Sequence, residues 1–190
     1  ALLPFTHPDR KKDAEDFRIF LGSLARRVPA IDVTPAASTY SSYYDEKKEA
    51  LSLSDPSGFL PKQRAIHDVL RAKAPRTVLD LGANTGWYSV LATSAGASVI
   101  ALEEDEACVD ILYKRARKQE LRILPLKVSF GDLTKEIRGA GGGLLYRAGV
   151  ARLGADLVLV LGLVHHLVLG EGRSIDAVFD VLGRLANRTL

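Results

Sequence analysis

The sequence predicts an α/β domain with a mostly parallel sheet and helices on both of its faces. Short β-branched runs alternate with helix-like segments from Arg76 onward, and these runs are apolar throughout instead of alternating with polar residues. A strand has this pattern when both of its faces are buried, as in a parallel sheet. At 190 residues, the chain is long enough for one sizeable core.

The spacing of the apolar residues predicts each element in turn. Helices are expected at residues 10–29, from Pro61 onward, and at 86–95, 104–119 and 173–187. Strands are expected at residues 76–81, 97–102, 122–130 and 155–163. The apolar positions of the first, second and last helices are Phe17, Phe20, Leu21, Leu24 and Val28; Ile66, Val69 and Leu70; and Ile175, Val178, Phe179, Val181, Leu182 and Leu185.

The pattern of residues divides the chain into two parts. Residues 1–60 read as a helical and loop-rich N-terminal extension that would form a lid, and residues 61–190 as the core with four to five strands. The sequence contains no methionine, and its last residues, ANRTL, stand where a fifth strand would begin. We therefore expect the C-terminal strands of this fold to be missing from the sequence.

Composition narrows the classes of protein. No apolar stretch reaches the ~20 residues of a membrane helix, and the N-terminus lacks the pattern of a signal peptide. The single cysteine, Cys108, fits a reducing cytoplasm. The net charge of +3 neither demands nor excludes a polyanionic partner. Adjacent His165 and His166, without nearby cysteine or a second acidic cluster, predict no metal site.

The most informative stretch is VLDLGANTGWYSVLA, residues 78–92, which passes from a strand through a loop into a helix. A dinucleotide fingerprint needs three glycines here, and Asn84 and Trp87 stand in place of the second and third. The P-loop pattern is absent as well. A carboxylate at the strand end, followed by small residues that let a ligand approach the backbone, suits an ammonium and a sulfonium better than a pyrophosphate.

The loop resembles the first motif of the class I S-adenosylmethionine-dependent methyltransferases, D/E-x-G-x-G-x-G. Its residues are Asp80, Gly82, Ala83, Asn84 and Gly86, with Asn84 in place of the middle glycine. Further matches follow in order over roughly residues 60–187. The resemblance implies a doubly wound, Rossmann-like sheet and S-adenosylmethionine as the cofactor, with these five residues lying against its methionine part.

The later motifs imply the remaining roles. Glu103, which ends the second strand, would bind the ribose hydroxyls, because a carboxylate can accept from two neighbouring O–H groups. Asp132, in SFGDL after the third strand, would accept from the adenine amino group. His165 or His166, after the fourth strand, would position the methyl acceptor or take its proton. The alternative for both histidines is a structural role in the loop.

The acceptor is predicted less directly. Tyr43, Tyr44 and Trp87 are candidate substrate contacts, with plain hydrophobic anchoring as the alternative. The motif typical of amino-methyltransferases, [N/D]-P-P-[Y/F], is absent after the fourth strand, and Cys108 is misplaced for a cytosine-C5 nucleophile. A small molecule with an oxygen or carbon nucleophile is therefore favoured, and an RNA or protein acceptor is the alternative.

The sequence is also compatible with two other functions. The first is an NAD(P)-dependent oxidoreductase with a Rossmann domain, which the missing third glycine disfavours. The second is a catalytically silent methyltransferase-like binding module, against which the intact cofactor motifs argue.

Overall fold

The structure is a computed structural model of the chain. The residues that it describes are 12–27, 34–42, 53 and 56–186. Predicted positions Val28, Tyr43 and Tyr44 lie outside these residues. None of the helices in this part of the chain is both long and apolar enough to cross a membrane.

The chain forms two compact units, Ala1–Thr34 and Pro35–Leu190. The first contains helix α1 (Lys12–Arg27), which confirms the helix predicted near the N-terminus. Along α1 the rings of Phe17 and Phe20 stack, with 6.5 Å between their centroids. The second unit contains the sheet, and residues 35–42 belong to it.

Four parallel strands form the sheet of the second unit. They are β1 (Thr77–Leu81), β2 (Ser98–Glu103), β3 (Ile123–Lys127) and β6 (Leu157–Val160), and they lie side by side in the order β3-β2-β1-β6. Leu81 lies opposite Leu102 on one side and Val160 on the other, so three carboxyl ends stand level at one edge. The predicted α/β class with a mostly parallel sheet is confirmed.

Helices cover both faces of the sheet, as the continuous apolar strands predict. Side chains of α2 (Pro61–Lys73), α3 (Trp87–Ser94) and α4 (Glu106–Lys118) pack on one face around Val78 and Val99. Helix α5 (Ile175–Leu185) and the turns after β3 pack on the other. Their core there includes Leu79, Leu81, Leu102, Phe130, Leu133, Val178, Val181, Leu182 and Leu185.

A single β-bridge lies next to β6 at the end of the described residues. Ala186, directly after α5, forms a parallel bridge with Ala155 just ahead of β6. This bridge lies where the sequence predicts a further strand.

The segment between β3 and β6 differs from the sequence prediction. The predicted strands 122–130 and 155–163 are shorter, because the chain turns at Phe130–Thr134 and leaves β6 at Val160. A short hairpin, β4 (Ile137–Arg138) and β5 (Leu144–Tyr146), surrounds the glycine-rich run 139–143. Its strands of two and three residues are too short to show a periodic pattern in the sequence.

In α2 and α5, three residues assigned to the apolar helix faces lie at the surface. Val69 is 39% exposed, and Ile175 and Phe179 are each 53% exposed. In α2 the buried face turns toward Leu70 and Gln63, whose Oε1 accepts from the Leu60 N–H at 2.9 Å. In α5 only the stripe formed by Val178, Val181, Leu182 and Leu185 is buried.

Gly86 lets α3 and α4 approach each other. It has a φ of +82°, and a Cβ at this position would lie 2.3 Å from Leu112 Cδ1. Both the left-handed backbone and the missing side chain are therefore needed here.

We expect Gly86→Ala to lower the free energy of unfolding by about 2–4 kcal/mol. The cost of a left-handed alanine backbone and the cost of overpacking against Leu112 add to each other. Gly142→Ala is the matched control, because Gly142 has a φ of +79° and a Cβ added there would have nothing within 4 Å. The control should lose only the backbone part, about 1–2 kcal/mol. Urea unfolding measures both, and equal losses would show that the contact with Leu112 is not limiting.

Candidate cofactor site

The carboxyl ends of the parallel strands border a cleft, the position at which open α/β sheets bind ligands. The loops that follow β1, β2, β3 and β6 all contribute to its walls. The lining residues are Leu81, Gly82, Leu102, Glu103, Glu104, Val128, Ser129, Phe130, Leu133, Leu163, Leu167 and Glu171. Two of the predicted cofactor residues, Gly82 and Glu103, are among them.

The loop after β1 is a tight turn with three left-handed residues. The φ angles of Gly82, Asn84 and Gly86 are +70°, +53° and +82°. Asparagine is among the few non-glycine residues that adopt this conformation readily, so Asn84 can replace the middle glycine of the motif. The N–H groups of Gly82 and Ala83 donate to the Leu102 carbonyl at 2.9 and 3.1 Å, which holds the loop against β2.

Glu103 holds this loop through its carboxylate. Its Oε2 accepts from the Asn84 N–H at 2.7 Å, and its Oε1 accepts from the N–H groups of Glu104 and Asp105 at 2.8 and 2.9 Å. A carboxylate has about four lone-pair sites. Three backbone donors therefore leave room for one more donor, such as a ligand hydroxyl.

Asp80 is buried at the base of the loop, with 2% of its surface exposed. The Ser89 hydroxyl donates to Asp80 Oδ2 at 2.6 Å. Burial raises the pKa of Asp80 to about 6 and outweighs the lowering by Ser89, while the nearby charge of Glu103 raises it further and that of Lys62 lowers it. A cation placed beside Asp80 would favour its ionised form.

Asp132 lies in the turn after β3, as predicted, but its carboxylate is bound by two nearby side chains, those of Lys135 and Ser129. It accepts from Lys135 Nζ at 2.8 Å and from the Ser129 hydroxyl at 2.7 Å. These two hydrogen bonds lower the pKa of Asp132 to about 2. Ser129 and Phe130 of the same turn line the cleft, and an adenine contact by Asp132 stays a prediction.

The two histidines follow β6 at the start of a one-turn π-helix, His166–Gly170. Such turns are often found at functional sites. The rings of His165 and His166 are 4.1 Å apart between centroids, and both side chains are exposed. His165 borders an apolar groove of about 440 Å³ with Val160, Gly162, Val164, Val168, Leu169 and Ile175.

Trp87, a candidate substrate contact, lies in the core with 2% of its surface exposed. Its ring packs edge-on against Phe59 and Tyr88, at 5.5 and 4.8 Å between centroids. A substrate contact would require the Phe59 segment to move. The other two candidates, Tyr43 and Tyr44, lie outside the described residues.

Two contacts at the site were not predicted from the sequence. Ser89 is nine residues from Asp80, and the Asn84 side chain donates to the Tyr40 carbonyl at 3.1 Å across 44 positions. Ser89 sits one turn into α3, on the side that faces β1, so helical spacing could have suggested it. The Tyr40 contact involves a backbone carbonyl, which any residue type supplies.

A second apolar groove, of about 410 Å³, lies over the amino-terminal half of the sheet. It is lined by Thr77, Val78, Leu79, Ser98, Val99, Ile100, Leu121, Arg122, Ile123, Leu124, Gly154 and Ala155. None of the predicted site residues lies there, so its size does not make it the functional site.

Comparison with known proteins supports the family suggested by the motifs. No family model matches the sequence. Nodulation protein NoeA of Rhizobium meliloti (strain 1021) is 32% identical over 112 residues, which cover 58% of this chain and 23% of NoeA. Ribosomal protein L11 methyltransferase of Thermotoga petrophila is 37% identical over 68 residues, which cover 35% of this chain and 25% of that enzyme. The predicted resemblance to class I S-adenosylmethionine-dependent methyltransferases is confirmed.

A solved structure shows the same fold. The bifunctional kinase-methyltransferase WbdD superposes with a TM-score of 0.51 at 20% identity, over 86% of this chain and 33% of WbdD. The matched region thus spans about a quarter of the curated relatives and a third of WbdD.

The buried carboxyl of Asp80 predicts a pH-dependent gain in stability for Asp80→Asn. Because the folded chain keeps this proton up to about pH 6, whereas the unfolded chain loses it near 3.8, folding stability falls as pH rises from about 4 to 6. An uncharged amide avoids that loss, so the variant should be more stable than the native chain at pH 7.5, by on the order of 2–3 kcal/mol, and nearly equal at pH 4.

Denaturant unfolding at both pH values measures this difference. Asp156→Asn is the control of opposite sign, because hydrogen bonds from the Thr77 and Arg76 backbone lower the pKa of Asp156. That variant should lose stability at pH 7.5. An Asp80→Asn gain that does not grow with pH would contradict the assigned burial.

Proposed function

We propose that this chain binds S-adenosylmethionine at the cleft and transfers its methyl group to a small-molecule acceptor. The observation that carries the proposal is the hydrogen bonding of the loop after β1. Its N–H groups are already satisfied from within the protein, one of them by the carboxylate of Glu103.

A dinucleotide would need those N–H groups for its pyrophosphate. The Asn84 N–H donates to Glu103, the Thr85 N–H to Asn84 Oδ1 at 2.6 Å, and the Gly86 N–H to the Ala83 carbonyl at 2.9 Å. A pyrophosphate placed here would meet occupied donors and the charge of Glu103. This argues against the NAD(P) oxidoreductase and in favour of a cationic ligand.

The residues present fit S-adenosylmethionine. Glu103 would accept from a ribose hydroxyl, and Gly82 would let the methionine part approach the backbone, since both line the cleft. Asp80 is buried beneath the loop and would favour the ammonium through its charge. When bound, the cofactor supplies a methyl group already activated by its sulfonium. The protein then mainly aligns the acceptor for in-line attack and excludes water.

The acceptor is proposed to bind beside His165. The groove there is lined by aliphatic side chains and has His165 as its ionisable group, which suits an apolar molecule with one hydroxyl or acidic carbon. His165 would position the acceptor and take the proton of its nucleophile as the cofactor supplies the methyl group.

Nucleophilic catalysis by cysteine is disfavoured. Cys108 is fully buried in α4, and its burial, together with nearby Asp105 and Glu103, raises its pKa to about 12. A thiol of this kind stays protonated and unreactive at neutral pH. A lone buried cysteine also supports the proposal of a cytoplasmic location.

Isothermal titration calorimetry with S-adenosylhomocysteine tests the proposed cofactor. We expect micromolar binding, no heat with NADH, and at least tenfold weaker binding by Glu103→Gln, because the amide nitrogen of Gln cannot accept from the loop. Glu106→Gln is the matched control, since Glu106 pairs with Lys127 outside the cleft. Binding of NADH but not of S-adenosylhomocysteine would overturn the proposal.

Two histidine variants test the proposed acceptor site. The measurement is transfer of tritiated methyl groups from S-adenosylmethionine to the small-metabolite, RNA and protein fractions of a cell extract. His165→Ala should slow labelling of metabolites about 100-fold, the range of general-base catalysis, without changing the Kd for S-adenosylhomocysteine. His166→Ala should slow it only a few-fold, because His166 does not line the groove.

Other distributions of label decide between the alternatives. Label in the RNA or protein fraction alone would refute a small-molecule acceptor. Cofactor binding without label in any fraction would favour the catalytically silent module.

A further inference from the structure

Residues 35–42, here called the strap, precede the sheet in sequence. They lie beside the loop after β1, residues 82–86, here called the cofactor loop. Two serines give the strap internal order. The Ser38 N–H donates to Ser41 Oγ and the Ser41 N–H to Ser38 Oγ, each at 3.0 Å, and the Ser41 hydroxyl donates to the Ser38 carbonyl at 2.8 Å. These bonds form a compact turn at residues 38–41.

The side chain of Asn84 connects this turn to the cofactor loop. Its Nδ2 donates to the Tyr40 carbonyl at 3.1 Å, while its Oδ1 accepts from the Thr85 N–H at 2.6 Å. Both ends of the amide are therefore used, one inside the loop and one across to the strap. A glycine would support the φ of +53° equally well but could make neither bond.

The Ser38 hydroxyl of the strap also influences the carboxyl group at the start of α4. Partial burial raises the pKa of Asp105, but hydrogen bonds from the Ser38 hydroxyl and from the Cys108 and Ala107 backbone more than offset this, so that it lies below its ordinary value. Asp105 also caps α4 by accepting from the Cys108 N–H at 3.0 Å. The geometric contact that carries the inference is the hydrogen bond from Asn84 to the Tyr40 carbonyl.

We propose that Asn84 is a positioning residue that fastens the strap to the cofactor loop, so that order in the loop and order in the strap are coupled. The part concerning the cofactor rests on the proposed function; the fastening itself does not. Asn84 then does what the glycine at this motif position cannot. It holds the turn at residues 38–41 against the loop after β1. Coupling of this kind is reciprocal, so a ligand that orders the loop also orders the strap.

Amide hydrogen exchange of the ligand-free chain tests the fastening. Asn84→Asp keeps the acceptor for Thr85 and loses the donor to Tyr40, whereas Asn84→Gly loses both and keeps the backbone geometry. We expect exchange at the Ser38 and Ser41 amides to accelerate about three- to tenfold in both variants, the range expected for the loss of one hydrogen bond. Tyr40→Phe is the control and should not change it, because the acceptor is the backbone carbonyl.

Two results would overturn the fastening. One is unchanged strap exchange in both Asn84 variants, and the other is acceleration in Asn84→Gly alone, which would assign Asn84 a role confined to the loop. Thermal unfolding of each variant checks that the fold persists. If Asn84→Gly does not fold, Asn84→Asp alone decides the result. If Asn84→Asp does not fold, unchanged strap exchange in Asn84→Gly still overturns the fastening.

Saturating S-adenosylhomocysteine tests the coupling. In the native chain it should slow strap exchange several-fold further, and in Asn84→Asp and Asn84→Gly it should not, even when calorimetry shows that the site is full. Equal protection in all three proteins would overturn the coupling. If the native chain binds no S-adenosylhomocysteine, the proposed function and the coupling both fail, while the ligand-free comparison still decides whether Asn84 fastens the strap.

Discussion

The carboxylate of Glu103 is the group on which the rest of the site depends. Its hydrogen bonds to the Asn84 N–H and to the two backbone N–H groups after β2 join the ends of two neighbouring strands. Hydrogen bonds from charged groups are stronger than neutral ones, and here they occupy the donors that a phosphate would use. The same interaction therefore shapes the loop and occupies the Asn84 N–H.

Whereas Glu103 holds the site together, Asp80 lowers the stability of the fold. Its burial raises its pKa to about 6, so at neutral pH the ligand-free chain carries a desolvated negative charge that opposes folding. A cation bound next to it would relieve that cost. Residues placed against their own stability in this way are typical of binding sites.

Asn84 has two roles, one in the backbone of the turn and one in its side chain. Its left-handed backbone satisfies the turn that the motif normally builds from glycine, and its amide gives the turn a contact that glycine cannot make. A departure from the usual motif at this position is thus accompanied by a new connection to residues 35–42. The fold tolerates asparagine in place of glycine because asparagine adopts the left-handed conformation at little cost.

The sequence by itself determined the parallel sheet, the order of its elements and the loop that carries the cofactor motif, because buried strands and glycine turns have local signatures. Only the tertiary structure decided which way side chains face. Phe179 and Val69 fit their helical stripes but lie at the surface, Asp132 follows its motif but faces Lys135, and Trp87 is enclosed by Phe59. Burial depends on contacts between residues distant in sequence, for which local periodicity carries no information. The Asp132 carboxylate instead follows side chains three positions away, whose direction a motif does not specify.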